Sequence, residues 1–116
     1  MDLVALRHAV RLNGITDLVL TKLDVMYDIH PLCVVDAYRL PSGEQIDYYP
    51  YQADLLGQVQ PVIRELSGFS GDISGARNWE DLPEGAREFI QEVGKGAGAP
   101  VTMIGVGQSR EQIIQL

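Results

Sequence analysis

Leu18-Val19-Leu20 is an apolar run with no polar residue at alternate positions, held between Asp17 and Thr21. A strand wetted on one face alternates apolar with polar side chains. A strand without that alternation is read as covered on both faces, the situation of parallel and mixed sheets. The run therefore predicts a strand over residues 17–21 in an α/β fold, a mixed sheet flanked by helices. The residues before it agree: Leu3, Leu6 and Val10 recur at helical spacing behind Asp2, a good N-cap, and Asn13-Gly14 supplies a left-handed stop.

The remaining elements follow by the same reasoning. A strand over residues 32–39, a turn at Pro41-Ser42-Gly43 and a strand over residues 45–49 predict a hairpin. Cys33, between Leu32 and Val34-Val35, is expected to be a buried strand residue. Tyr48, Tyr49 and Tyr51 do not form one aromatic platform if they continue that strand, because neighbouring strand residues face opposite sides. A short strand is expected over residues 62–66, then a polar, glycine-rich surface loop over residues 67–76, with Trp79 packing beneath it. Ala86, Phe89, Ile90 and Val93 mark a helix with Pro83 near its first turn, and the glycines of residues 94–98 are expected to end it. Gly94-Lys95-Gly96 follows that helix instead of preceding one, so it reads as a C-terminal cap and not a phosphate site. Val101-Thr102-Met103-Ile104 predicts a last strand and Gly105-Val106-Gly107 a turn. Ser109 with Gln112 forms a capping box opening a short helix that carries Ile113 and Ile114.

Chemistry concentrates where the first strand ends, at Thr21-Lys22-Leu23-Asp24. A carboxylate at Asp24 can accept two charge-assisted hydrogen bonds from guanine, at N1–H and the exocyclic amine, while the Lys22 stem lies along the ring. Adenine offers an acceptor at N1 and leaves such a carboxylate unpaired. Polar readout of this kind discriminates by factors on the order of 10⁴. A Lys-x-Asp tripeptide is also common by chance, so its weight comes from context. Gly105 and Gly107 would let backbone approach a flat ligand closely.

That context is a resemblance. Asp2-Leu3-Val4-Ala5-Leu6-Arg7, Arg11-Leu12-Asn13-Gly14, Leu20-Thr21-Lys22-Leu23-Asp24-Val25, Cys33-Val34-Val35-Asp36-Ala37-Tyr38 with Pro41-Ser42-Gly43, the segment from Pro61 to Phe69, and Gly105-Val106-Gly107-Gln108-Ser109-Arg110 stand in the order and spacing of adenylosuccinate synthetases. The chain resembles roughly the last quarter of that family, the C-terminal part of its P-loop-like fold. The resemblance implies a role in a GTP-dependent ligase that joins IMP and aspartate in purine biosynthesis. It assigns guanine recognition to Thr21, Lys22 and Asp24, and to the backbone of Gly105, Val106 and Gly107. Gly105 stands where the family usually has Ser, so a hydroxyl contact is lost there.

The family's phosphate loop, its catalytic acid and base and its arginine-rich loop have no counterpart in the sequence. The chain alone is therefore expected to lack ligase activity, with GTP as nucleotide and with no ligands for the Mg²⁺ the full enzyme needs. The expected partners are a guanine nucleotide, the N-terminal portion of the enzyme and, from the family's habit, a second copy. Met1 is either a start or an internal residue. Two alternatives stand beside this reading: a noncatalytic nucleotide-binding or partner-docking module, and a structural fragment without a ligand.

Composition bounds the rest. At 116 residues, 46% hydrophobic and 22% charged, one globular domain spanning residues 1–116 is expected. A net charge of −7 opposes nonspecific nucleic-acid binding, and no apolar run approaches the ~20 residues of a membrane span. A cytoplasmic location fits. His8 reads as an exposed or interface residue and His30 as a turn residue before Pro31. Asp28, Asp36, Asp47 and Asp54 show no partner for acid or base work, and no His, Cys, Asp or Glu cluster has metal spacing.

Overall fold

Asp2 starts the first helix as its sequence position requires: its carboxylate accepts from the Ala5 N–H at 3.0 Å, and Gly14 ends the helix in the left-handed conformation. The computed structural model describes residues 1–116. In order, the elements are α1 (Leu3–Asn13), β1 (Leu18–Leu20), β2 (Leu32–Arg39), β3 (Gln45–Ile46), the one-turn α2 (Ala53–Leu56), β4 (Gln60–Leu66), α3 (Glu84–Ala97), β5 (Val101–Gly105) and β6 (Ile113–Gln115). Short 3₁₀ turns lie at Leu23–Met26, Trp79–Asp81 and Arg110–Gln112.

The strands divide into two sheets of three. In the first, ordered β1-β5-β6, β1 runs parallel to β5 and β6 returns antiparallel; in the second, ordered β3-β2-β4, all pairs are antiparallel. The chain start extends the second sheet. Met1 donates its amino group to the Cys33 carbonyl at 2.8 Å and accepts from the Val35 N–H at 2.8 Å.

Two helices hold the sheets together. α3 buries Phe89, Ile90 and Val93 in the main core with Leu3, Leu23, Ile104 and Ile114. α1 contributes to three apolar clusters: Leu3 to that core, Val4 to a second with Tyr38 and Ile46, and Val10 to a third with Ala97 and Ala99. The two helices touch at backbone distance. A Cβ on Gly96 would stand 2.5 Å from Leu3 Cδ1, and the Arg7 Nε–H donates to the Gly96 carbonyl at 2.8 Å. Arg64 on β4 reaches Asp36 on β2 and, at 2.7 Å, Glu92 on α3. Asp36 thus has the partner that its sequence position did not show.

Several elements differ from their sequence-based expectation, each for a tertiary reason. Val19 is 57% exposed, so the apolar run of β1 is covered on one face only. Cys33 is exposed: Leu32 and Val34 set the inward period of β2, and the residue between them faces out. α3 runs through Gly94 and Gly96 to Ala97 and ends at Gly98, because the Gly96 gap is what seats α1. The loop over residues 67–76 is surface backbone pinned by buried Phe69, Ile73 and Ala76. β3 stops at Ile46, and the tyrosines after it leave the strand and gather around His8, with Tyr49 stacked on it at 4.8 Å and Tyr51 edge-on at 5.8 Å. The capping box of Ser109 and Gln112 is present, yet Ile113 and Ile114 form β6, not a helix.

Two stability predictions follow from these contacts. Gly96→Ala gains helix propensity of up to about 1 kcal/mol but overpacks Leu3, which costs typically about 1–3 kcal/mol. The expected outcome is a net loss near 1 kcal/mol by urea unfolding. The Tyr38 hydroxyl donates to Asp2 at 2.6 Å; burial, then this bond, hold its pKa well above the ordinary tyrosine value. Because the folded value is the higher one, the stabilisation is complete below about pH 10 and is lost as pH rises through the folded pKa. Tyr38→Phe should lower stability at neutral pH by about 1 kcal/mol and remove part of the alkaline fall.

Candidate functional site

β1 and β5 pair in parallel, Val19 beside Met103 and Leu20 beside Ile104, so both strands deliver their carboxyl ends to one edge. Ligands of α/β sheets sit outside that edge. Here Thr21-Lys22 leaves β1 next to the Gly105-Val106-Gly107 turn that leaves β5.

Lys22 opens the 3₁₀ turn Leu23–Met26 with a left-handed backbone, φ 61° and ψ 35°. For a residue with a Cβ this conformation is uncommon and costs on the order of 1 kcal/mol. Leu23, completely buried in the main core, anchors the turn and offsets that strain. With Leu23 pointing inward, Lys22 lies exposed and Asp24 half-buried at the cleft wall. Neither Lys22 nor Asp24 takes part in the three ion pairs of the chain.

The opposite wall is built around glycine and glutamine. A Cβ on Gly105 would lie 3.5 Å from Thr21 Cα, an ordinary contact, so there is room beside β1 for that atom. At Gly107 there is none: a Cβ would collide with the Gln112 amide. That amide is fixed, accepting from the Ser109 N–H and hydroxyl at 3.1 Å each and donating to the Ser74 carbonyl at 3.0 Å. Val106 turns its side chain fully into the core and donates its N–H to the Gln112 carbonyl at 2.9 Å.

The result is an open cleft of about 580 Å³. Of the residues singled out in the sequence, Thr21, Lys22, Asp24, Gly105 and Gly107 line it together, whereas Val106 supports the turn from below. Val25, Gln108, Ser109, Arg110 and Ile113 also line it. Contiguity with the Lys-x-Asp and Gly-x-Gly motifs could have indicated the first four. Ile113 comes from β6 and depends on that strand folding back on β5. The cleft combines a carboxylate acceptor, two cationic side chains and a glycine-lined wall, the chemistry of recognising a planar, hydrogen-bond-donating ring. No group of three or more His, Cys, Asp or Glu residues is placed to hold a metal ion. No helix is long and apolar enough to cross a membrane.

A second cleft, of about 250 Å³, lies between α1 and the tyrosines. Within it His8 stacks on Tyr49, and Arg7 donates to the Gly96 and Asp47 carbonyls.

Comparison with known proteins gives this geometry a family. Residues 1–114 match the adenylosuccinate synthetase family profile. The adenylosuccinate synthetase of Acidothermus cellulolyticus is 47% identical over 99% of this chain and 27% of its own length. That of Brevibacillus brevis is 42% identical over 97% of this chain and 26% of its own. The structure of fully ligated adenylosuccinate synthetase from Plasmodium falciparum superimposes with a TM-score of 0.93 at 28% identity, covering 100% of this chain and 28% of that one. The chain thus spans about a quarter of the length of the relatives it matches. On residue identity over almost its full length, and on the same backbone, this chain belongs to the adenylosuccinate synthetase family.

Proposed function

We propose that this chain is the guanine-recognition part of an adenylosuccinate synthetase, the ligase that joins IMP and aspartate with GTP to form adenylosuccinate. The observation that carries the reading is the convergence of Lys22 and Asp24 with the Gly105 to Gly107 turn at the carboxyl ends of two parallel strands. Asp24 accepts from guanine N1–H and the exocyclic amine, the Lys22 stem lies along the ring, and the glycine turn walls the base. Phosphoryl transfer needs positioned phosphates, Mg²⁺ and a base together. Those parts have no counterpart among the residues of this chain, so it supplies recognition and not turnover. The alternative of a noncatalytic nucleotide-binding module shares this cleft and is supported by the same residues; it differs only in having no catalytic counterpart to serve.

Calorimetric titration with GDP, with ADP as control, tests the reading. The expected outcome is binding of GDP alone, and equal or absent heats for both nucleotides would sink it. Asp24→Asn should weaken GDP about 10- to 100-fold, the loss of charge-assisted hydrogen bonds worth about 1.5–3 kcal/mol. The same variant should relatively favour xanthine nucleotides, whose C2 carbonyl accepts where guanine donates. Gly105→Ser introduces the residue usual in the family, and its Cβ would meet Thr21 Cα only at an ordinary 3.5 Å. It should tighten GDP severalfold, the value of one added hydrogen bond of about 1 kcal/mol, without lowering the melting temperature.

A further inference from the structure

Four of the chain's five tyrosines and one of its two histidines gather beside α1, where the second sheet ends. Most of this cluster is not core: Tyr48 is 54% exposed and Tyr51 88%. Tyr51 meets His8 edge-on, which leaves the faces of its own ring open. The cluster is nevertheless fixed from below. Tyr49 stacks on His8 with the rings 13° from parallel and meets buried Tyr38 edge-on at 6.4 Å, and the Tyr38 hydroxyl is bonded to Asp2 at the start of α1. Val4, 1% exposed, closes the floor of the cleft between them.

The helix wall of the cleft carries uncompensated positive charge. Arg7 and Arg11 stand one turn apart on α1 and both line the cleft. Like charges at that spacing repel and weaken the helix unless an anion joins them. Neither arginine belongs to an ion pair; Arg7 donates only to the Gly96 and Asp47 carbonyls, and the Arg11 side chain makes no hydrogen bond. Asp47 is the one carboxylate in the lining, and Arg7 uses its backbone oxygen, not its side chain.

We infer that this cleft is a second ligand site, for a phosphate monoester of a single-ring aromatic: the ring lies on Tyr51 and the phosphate bridges Arg7 and Arg11. Size and charge choose that class. The volume of about 250 Å³ lies below the roughly 300–1,000 Å³ of pockets for larger organic ligands, so the cleft holds one ring and one anionic group. Two guanidiniums against one carboxylate leave a net positive site, which favours a phosphate dianion over a singly charged carboxylate. The open aromatic faces reward a flat ring, which an aliphatic phosphate lacks. This cleft shares no lining residue with the one beside Lys22 and Asp24, so the inference is independent of the guanine reading.

The test is a nuclear magnetic resonance titration of the 116-residue chain with phenyl phosphate, with inorganic phosphate and phenol as the two halves of that probe. The expected result is a set of amide shifts confined to residues 7–12 and 47–51, with a dissociation constant below about 1 mM and at least about tenfold tighter than for either half. Arg11→Gln removes an exposed, unbonded cation and should weaken phenyl phosphate about tenfold at an unchanged melting temperature. Arg11→Lys should recover only part of that loss, because an ammonium lacks the bidentate fork. Tyr51→Ser should weaken phenyl phosphate and leave inorganic phosphate unaffected. Asp47→Asn keeps the carbonyl that Arg7 uses and should tighten phenyl phosphate severalfold by removing the opposing charge.

Each of four results would overturn the inference. Equal affinity for inorganic phosphate and phenyl phosphate would reduce the site to an adventitious anion on two arginines. Shifts at Thr21, Lys22 and Gly105 in place of residues 47–51 would move the ligand to the other cleft. Affinity unchanged in both Arg11→Gln and Asp47→Asn would remove the arginine pair from any role in binding. Absence of shifts up to about 10 mM phenyl phosphate would leave the tyrosines a packing cluster.

Discussion

The contact on which the rest of the structure depends is Leu3 against the bare backbone of Gly96. It brings α1 and α3 to a separation that no other residue at position 96 permits without displacing a fully buried leucine. From that seat α1 reaches all three apolar clusters, and Arg7 closes the contact by donating to the Gly96 and Asp47 carbonyls. The antiparallel sheet is thereby tied to the same helix pair that carries the mixed sheet. Asp2 adds a polar version of the tie, capping α1 while accepting from the Tyr38 hydroxyl of β2.

The candidate site is downstream of this packing. α3 supports β5, β5 sets the parallel register of β1, and the two strand ends then place Lys22-x-Asp24 beside the glycine turn. Each wall is rigid for a different reason. On the β1 side, burial of Leu23 holds Lys22 in a left-handed conformation it would not otherwise prefer. On the β5 side, Gln112 connects the Ser109 cap, the Val106 N–H and the Ser74 loop in one set of hydrogen bonds, with its amide lying against Gly107. Exposed side chains on rigid supports hold the polar groups of this cleft in fixed positions.

Much of this was legible residue by residue. The N-cap at Asp2, the stop at Gly14, the extent of β2 and the Ser109–Gln112 box are local, because a capping side chain or a left-handed glycine acts within a few residues of itself. The errors share a different origin. Cys33 and Val19 were read as buried because their neighbours are apolar, but which side of a strand faces the core depends on what packs there. The glycines of α3 read as a terminator because helix interiors disfavour them, and a neighbouring helix reversed that preference. Ile113 and Ile114 read as helix until β5 offered them a strand to pair with. Among the candidate site residues, five of six converge, and Val106 is the one whose side chain the core claims.

The sequence by itself determined the chemistry available and its local frame: a Lys-x-Asp at a strand end, a Gly-x-Gly turn, the caps between them, and the family order of the motifs. These depend on side-chain type and short-range backbone geometry, which neighbouring residues specify. Only the tertiary structure decided that the two motifs share one cleft, that β1 has a covered and a bare face, and that Gly96 is a packing residue. Those facts depend on which surfaces meet across long stretches of chain, and burial is a property of the meeting and not of either residue alone.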